Sequence, residues 1–253
     1  MKLTLNKIKK MKTSHKHTHT ENLDLQFKMS FRTDTETIRA GEPVKLYFKP
    51  ELISQPGSVV PLSLFHERKI HLIIISKDLS YFAHEHPELL GNGDYMWEHI
   101  FPAGGDYLLF QDYMPEEADQ QLGRQKIHVA GDETPKGLTD KVTTVWEEDE
   151  YEVKIHPDNQ FKANAAVMLK AEVAKNGEPI TDLEKYLGSL AHVVVVSSDT
   201  QDYLHAHPME SATNGPEIIL HTHFPRSGHY KIFMEFKHEG QVRLAIFVLA
   251  ARN

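Results

Sequence analysis

The 253-residue chain contains no cysteine. Without thiols it can form neither disulfides nor thiolate metal sites, and it has no cysteine nucleophile. It also lacks any run of about 18 apolar residues, the length that a membrane-spanning helix requires. Residues 1–20 are basic but have no continuous apolar core, so they predict no signal peptide, and the sequence as written indicates a cytoplasmic protein.

Excess positive charge is absent as well, because the formal net charge is -8 at pH 7. An acidic balance argues against a general nucleic-acid binder or a protein that binds anionic membranes. The sequence has no P-loop, no dinucleotide fingerprint, and neither a GxSxG nor an HExxH motif. These absences favour a protein that is not an enzyme.

What the chain does contain is many short segments with strand periodicity. The segment "LDLQFKMSF" alternates apolar and polar residues from Leu23 to Phe31, and "PVKLYF" does the same from Pro43 to Phe48. Glycine, proline, asparagine and aspartate separate such segments, and no long amphipathic helix stands out. This pattern predicts an all-β protein of the sandwich type.

The order of these segments occurs twice. The stretch "HLIIISKDLSYFAHEHPE", which starts at His71, returns as "HVVVVSSDTQDYLHAHPM", which starts at His192. Further on, "FPAGGDYLLF" from Phe101 corresponds to "FPRSGHYKIF" from Phe224. The sequence therefore predicts two tandem immunoglobulin-like β-sandwich domains. The predicted boundaries are a disordered histidine-containing tail at 1–20, a first domain at 21–131, a linker at 132–140 and a second domain at 141–253.

Histidines lie at the open end of each repeated hairpin. A two-residue turn at Lys77-Asp78 would place His71 directly opposite His84, and the equivalent turn in the second copy would pair His192 with His205. His86 lies two residues beyond His84 and shares its face. Imidazoles gathered in this way suit zinc or copper. The candidate metal ligands are His71, His84, His86, His192, His205 and His207, with His221 and His223 of the "HTH" segment as a further same-face pair.

Lys69 would face His86 in this register and would repel a metal ion there. The corresponding residue of the second copy is Leu190, so the second domain is expected to hold the better site. The loss of His205 or His207 is therefore expected to affect metal binding most.

Two alternatives stay open at this stage. The hairpin histidines could be structural, with His71 hydrogen-bonded to His84 or to the backbone inside an interaction module. A cupin-like metalloenzyme would also carry an HxH pattern on a strand. The cupin pattern requires a glutamate four residues after the second histidine, and Gly91 and Ser211 occupy those positions.

The hairpin strands are apolar on both faces. Leu72 and Ile74 face away from His71, as Val193 and Val195 face away from His192. Strands of this kind are usually covered on both sides. One face is therefore expected to form the domain core, and the other to meet the sister domain, a long loop or a partner chain, including a second copy in a homodimer.

The stretch "HERKIHLIIISKDLSYFAHEHPE" with "FPAGGDYLLFQDY", and its counterpart "YLGSLAHVVVVSSDTQDYLHAHP" with "FPRSGHYKIFMEF", resembles bacterial proteins with YtkA-like, immunoglobulin-like domains. The resemblance implies tandem β-sandwiches, export or lipid anchoring, and a role in heavy-metal handling that leans toward copper. The chain departs from that group in lacking an export signal. The residues that carry the resemblance are His71, His84, His86, His192, His205 and His207.

Overall fold

Two β-sandwiches follow one another along the chain in this computed structural model. The structure describes residues 26–116, 118–133, 141–157, 161–206, 208–209 and 211–253. The predicted tail, most of the predicted linker and His207 lie outside the described residues. No helix within the described ranges has the length and the hydrophobicity that crossing a membrane requires.

The first sandwich is made of short antiparallel strands, with one additional parallel pair. Its strands are β1 (Phe27–Thr33), β2 (Ile38–Arg39), β3 (Pro43–Leu52), β4 (Ile70–Ser76), β5 (Phe82–Glu85), β6 (Glu88–Leu89), β7 (Tyr95–Ile100), β8 (Gly105–Tyr113) and β9 (Gln121–Ala130). One sheet has the order β1-β3-β7-β6 and the other β2-β9-β8-β4-β5. Strand β3 alternates apolar and polar residues, and its apolar residues Val44, Leu46 and Phe48 are buried in the core between the two sheets.

The second sandwich repeats this plan. Its strands are β10 (Val145–Glu148), β11 (Tyr151–Pro157), β12 (Ala166–Lys175), β13 (Glu178–Pro179), β14 (Ala191–Ser197), β15 (Tyr203–Ala206), β16 (Glu217–His223), β17 (Gly228–His238) and β18 (Gln241–Ala251). One sheet joins β10-β11-β12-β13, with β16 also paired to β12, and the other has the order β15-β14-β17-β18. The prediction of an all-β chain with two tandem immunoglobulin-like sandwiches is confirmed, and a single closed cupin-like barrel is excluded.

Strands β4 and β14 are buried on both faces. Leu72 and Ile74 point into the core of the first sandwich, and Val193 and Val195 point into that of the second. The opposite faces of both strands meet in a third apolar cluster between the sandwiches. Its buried members are Ile73, Ile75, Leu79, Leu108, Phe110, Val194, Val196 and Phe233. The prediction that the second face is covered is confirmed, and the sister domain is what covers it.

Contacts across this interface occur in reciprocal pairs. Phe82 of the first sandwich stacks on Phe233 of the second at 4.4 Å between ring centroids. Phe110 of the first stacks on Tyr203 of the second at 4.3 Å. The repeat places Tyr203 at the position of Phe82, and Phe233 at that of Phe110. The two sandwiches thus face each other with approximate two-fold symmetry.

The predicted hairpin register is wrong by two residues in both domains. His84 pairs with Ile73 rather than with His71, and His205 pairs with Val194 rather than with His192. A shift of two residues keeps every side chain on its face of the sheet. His71 and His84 therefore remain on one face as diagonal neighbours.

A four-residue loop causes the shift. Asp78 accepts hydrogen bonds from the Ser76 hydroxyl at 2.6 Å and from the Ser80 backbone N–H at 3.0 Å, while Leu79 adopts a left-handed backbone conformation with φ 58°. Asp199 and Thr200 reproduce this arrangement in the second domain, with φ 59° at Thr200. The aspartate thus stabilises a longer loop than the two-residue turn that the sequence suggested.

Candidate metal centre

The histidines that the sequence predicts to form two separate sites lie together between the sandwiches. Because β4 and β14 face each other, the ring of His71 is 5.9 Å from that of His192 and 5.4 Å from that of His205, measured between centroids. His86 is 5.1 Å from His71. We call these residues the histidine cluster, with the members His71, His84, His86, His192 and His205.

A chain of hydrogen bonds runs through the first-domain members. The Nε2–H of His71 donates to the backbone carbonyl of Phe65 at 2.8 Å. The Nδ1–H of His84 donates to the Glu235 carboxylate at 2.6 Å. Between them, Nδ1 of His71 and Nε2 of His84 are 2.9 Å apart. Each ring thus uses one nitrogen for an acceptor outside the cluster and turns the other nitrogen toward its neighbour.

Each second-domain member also donates one ring N–H to an acceptor outside the cluster. The Nε2–H of His192 donates to the backbone carbonyls of Tyr186 and Leu187, at 3.1 and 3.3 Å. The Nδ1–H of His205 donates to Asp112 at 2.8 Å. When neutral, these rings carry their lone pairs on Nδ1 of His192 and Nε2 of His205.

The two carboxylates cross the interface in opposite directions. Glu235 is on strand β17, opposite His192 of β14, but it binds His84 of the first domain. Asp112 is on strand β8, opposite His71 of β4, but it binds His205 of the second domain. The His205 and Asp112 side chains are each only 2% exposed. Each sandwich therefore supplies the acid that orients the hairpin histidine of the other.

Burial keeps much of the cluster neutral. Desolvation lowers the pKa of His71 to about 4, and the neighbouring His84 lowers it further. Desolvation, followed by the neighbouring histidines, lowers the pKa of both His86 and His192 to about 2. Neutral imidazole is the form that binds metal, so protons compete little with a metal ion at these three rings near pH 7.

His86 completes a group with ligand geometry. One ring nitrogen from each of His71, His84 and His86 lies within 4.8 Å of the other two. The Nε2 atom of His86 is buried and has no hydrogen-bond partner among the described residues. Three convergent imidazoles with a spare buried nitrogen can hold a transition metal ion.

Two expectations about the surroundings need correction. Lys69 does not face His86, because the register is shifted by two residues, and its ammonium group donates a hydrogen bond to the Leu62 carbonyl. Besides desolvation, a different cation, Arg68, contributes to the lowered pKa of His86, so the expected repulsion comes from Arg68 rather than from Lys69. His221 and His223 are exposed on β16, in the sheet across the second core from β14, so they do not join the cluster.

Sequence reasoning missed the two carboxylates and His66. The ring of His66 is 5.8 Å from that of His192 and 6.3 Å from that of His71. Asp112 and Glu235 occupy matching positions of the repeat, in "LLFQDY" and "KIFMEF". An acid retained at the same place in both copies is the signal that could have identified them.

Comparison with known families gives one match that covers most of the chain. The model of the family described as domain of unknown function DUF8832 matches residues 26–129 and 143–253. None of the curated proteins is similar enough to match. This family match does not report the YtkA-like relationship that the sequence predicts. That relationship therefore stays a prediction.

Solved structures share weak similarity with the chain. The Escherichia coli adhesin FdeC is 13% identical with a TM-score of 0.29, over 91% of this chain and 65% of that one. Trypsin-activated alpha-2-macroglobulin of Escherichia coli is 12% identical with a TM-score of 0.28, over 90% and 16%. The Yersinia pseudotuberculosis adhesin InvE is 8% identical with a TM-score of 0.27, over 89% and 59%. The chain thus spans less than two thirds of each of these structures.

Proposed function

The chain belongs to the DUF8832 family, and from its own geometry we propose that it is a non-enzymatic binding module that holds one transition metal ion in the histidine cluster. The observation that carries the proposal is the contact between Nδ1 of His71 and Nε2 of His84, at 2.9 Å. Both rings already donate their N–H to acceptors outside the cluster.

Proton counting shows what this contact requires. A neutral imidazole carries one N–H, and the carbonyl of Phe65 and the carboxylate of Glu235 each use one. In the neutral rings the two inner nitrogens would then present lone pairs to each other, which is repulsive. A cation between them removes the repulsion, and that cation is either an extra proton or a metal ion.

The rings that surround this contact favour the metal ion. A shared proton joins only two nitrogens, whereas a metal ion accepts three or four. Further donors are close: the buried Nε2 of His86, and the rings of His192 and His205, whose centroids are 5.9 and 5.4 Å from that of His71. The distance between nitrogens on a tetrahedral zinc ion is about 3.3 Å for zinc–nitrogen bonds of about 2.0–2.1 Å. The observed 2.9 Å contact between His71 and His84 therefore needs to widen by only a few tenths of an ångström.

The second candidate is a purely structural role for the histidines in an interaction module. The buried pair between His205 and Asp112 favours it, because such a pair holds the two sandwiches together without any metal. In that case the third proton lies between His71 and His84. The two candidates differ in what the loss of a histidine changes.

Binding of Zn(II) and Cu(II) to chelator-treated protein tests the proposal, with competition against chelators of known affinity. We expect His71→Ala to weaken binding at least about 100-fold, because one of a few ligands is lost. The double variant His221→Ala/His223→Ala is the matched control, since both rings are exposed outside the cluster, and it should bind as the wild type does. Equally weak binding by the wild type and His71→Ala would leave the structural role.

A further inference from the structure

The four histidines that point their N–H groups outward form a nearly regular tetrahedron of rings. The six distances between their centroids lie between 5.2 and 5.9 Å. The four residues are His71, His84, His192 and His205. Four imidazoles around one ion, with bonds of about 2.0–2.1 Å, would have centroids about 5.2 Å apart. The observed centroid distances are therefore at most about 0.7 Å longer than those of a four-imidazole site.

We propose, on the basis of the proposed function above, that the ion is Zn(II) held between the two sandwiches by these four rings, two from each domain. The proposal replaces one site per domain with one site per chain. It also gives each half of the sequence repeat an equal share of the ligands.

The outward hydrogen bonds are those that zinc ligands need. A metal-bound histidine usually donates its other ring N–H to a carboxylate or a backbone carbonyl, which fixes the ring and the tautomer. His71 and His192 donate to backbone carbonyls in loops that precede their strands. His84 and His205 donate to the carboxylates of Glu235 and Asp112. All four rings therefore have an outer partner, in two pairs related by the repeat.

Charge also fits a divalent ion. Asp112 and Glu235 bring two carboxylates into a site of otherwise uncharged imidazole donors, and buried carboxylates are costly unless they are compensated. One Zn(II) ion balances both acids. The near-exclusion of water from the His205–Asp112 pair strengthens this attraction, because the local dielectric is low.

The shape of the site separates zinc from Cu(II). Four ligands at the corners of a square would give two long distances about 1.4 times the four short ones, as Cu(II) prefers. Here the longest centroid distance, 5.9 Å, is only about 1.13 times the shortest, 5.2 Å. Near-equal distances correspond to the tetrahedral geometry of Zn(II).

Two single variants distinguish the shared site from a site confined to the first domain. His192→Ala removes a ring of the tetrahedron, and His86→Ala removes the third ring of the first-domain group. We expect His192→Ala to lower Zn(II) affinity at least about 100-fold, while His86→Ala stays within about tenfold of the wild type. The reverse order would overturn the shared site and leave metal binding to the first domain. Absence of Zn(II) binding by the wild type would instead overturn the proposed function itself.

The wild-type chain provides a second test that does not depend on whether a variant folds. Elemental analysis after saturation and removal of free metal should give one zinc per chain. Zinc X-ray absorption should show four imidazole nitrogens at about 2.0–2.1 Å. Two zinc ions per chain, or a first shell with fewer than four imidazoles, would contradict the proposal.

Discussion

At the scale of single residues, the two carboxylates that cross the interface control the histidine cluster. Glu235 and Asp112 each bind a histidine of the other domain, at 2.6 and 2.8 Å. Hydrogen bonds to a charged group contribute more than neutral ones, and a buried partner left alone is costly. Their substitution therefore affects the fold as well as any bound ion.

We expect Glu235→Gln to lower the free energy of unfolding of metal-free protein by about 2–4 kcal/mol, because the buried imidazole of His84 loses a charged acceptor. Urea denaturation measures this change. The control is Glu217→Gln, which disrupts the exposed ion pair with Lys170 and should leave stability close to that of the wild type. Equal effects of the two variants would show that the His84–Glu235 pair contributes no more than a surface pair.

The neutral histidines predict sensitivity to acid. The unfolded chain takes up protons at the ordinary histidine pKa of about 6.5, whereas the pKa of His192 in the folded protein is about 2. The stabilisation is therefore fully present above pH 6.5 and is lost as the pH falls toward 2. His192 accounts for a loss of about 1.4 kcal/mol per pH unit below 6.5, and His86 adds to it.

Chemical denaturation of the metal-free chain between pH 7.5 and 4.5 checks this expectation. We expect the slope of stability against pH to be smaller in His192→Gln, which removes one of the depressed groups. The exposed residue His223 provides the control, since His223→Gln should leave the slope unchanged. Stability that is constant between pH 6.5 and 4.5 would contradict burial of neutral histidines.

At the scale of elements, the hairpin loop sets where the histidines meet. Asp78 is the acceptor that holds the four-residue loop together. We expect Asp78→Ala to destabilise the protein by about 1–2 kcal/mol, because the Ser80 N–H and the Ser76 hydroxyl lose their acceptor. Asp78→Asn keeps a side-chain oxygen and should recover most of the loss. Thermal denaturation of both variants measures the difference, and equal midpoints for Ala and Asn would argue against a role for this acceptor.

The sequence predicts the strands and their faces better than it predicts their register. The alternation in β3 and the apolar runs of β4 and β14 are local properties, so they can be recognised without coordinates. The register depends on the loop, where the side chain of Asp78 and the left-handed Leu79 add two residues to the expected turn. Because the register error is two residues, the prediction that His71 and His84 lie on the same face of the sheet is still correct.

The repeat could not predict that the histidines of the two domains lie together in one cluster. A repeat shows that each copy has the same hairpin, but it carries no information about how the copies dock. The apolar second face of β4 predicted that something covers it, and the stacking of Phe82 on Phe233 shows which surface does. Once the faces meet, the distance between His71 and His192 follows.

At the scale of the whole molecule, the two sandwiches are expected to unfold together. Eight buried apolar residues from both domains form the cluster between them, which couples their stabilities. We expect a single calorimetric transition for the wild type. Phe82→Asp places a charge in the stack with Phe233 and should separate the transition into two or lower it markedly.

Leu64→Asp is the matched control for this change. Leu64 is 63% exposed, so the same substitution there should leave one transition near the wild-type midpoint. Two transitions in the wild type would show that the interface does not couple the domains.

The reciprocal pairs also make the two halves of the chain depend on each other. Each half supplies one donor and one acceptor. The first half has the donor His84 and the acceptor Asp112, and the second half has the donor His205 and the acceptor Glu235. A surface with both parts is self-complementary, as the face of a symmetric dimer is. The polypeptide therefore has the form of a symmetric dimer whose two subunits are joined in one chain. A substitution of either acid removes the partner of a histidine in the other half, so its effect is expected to reach both domains.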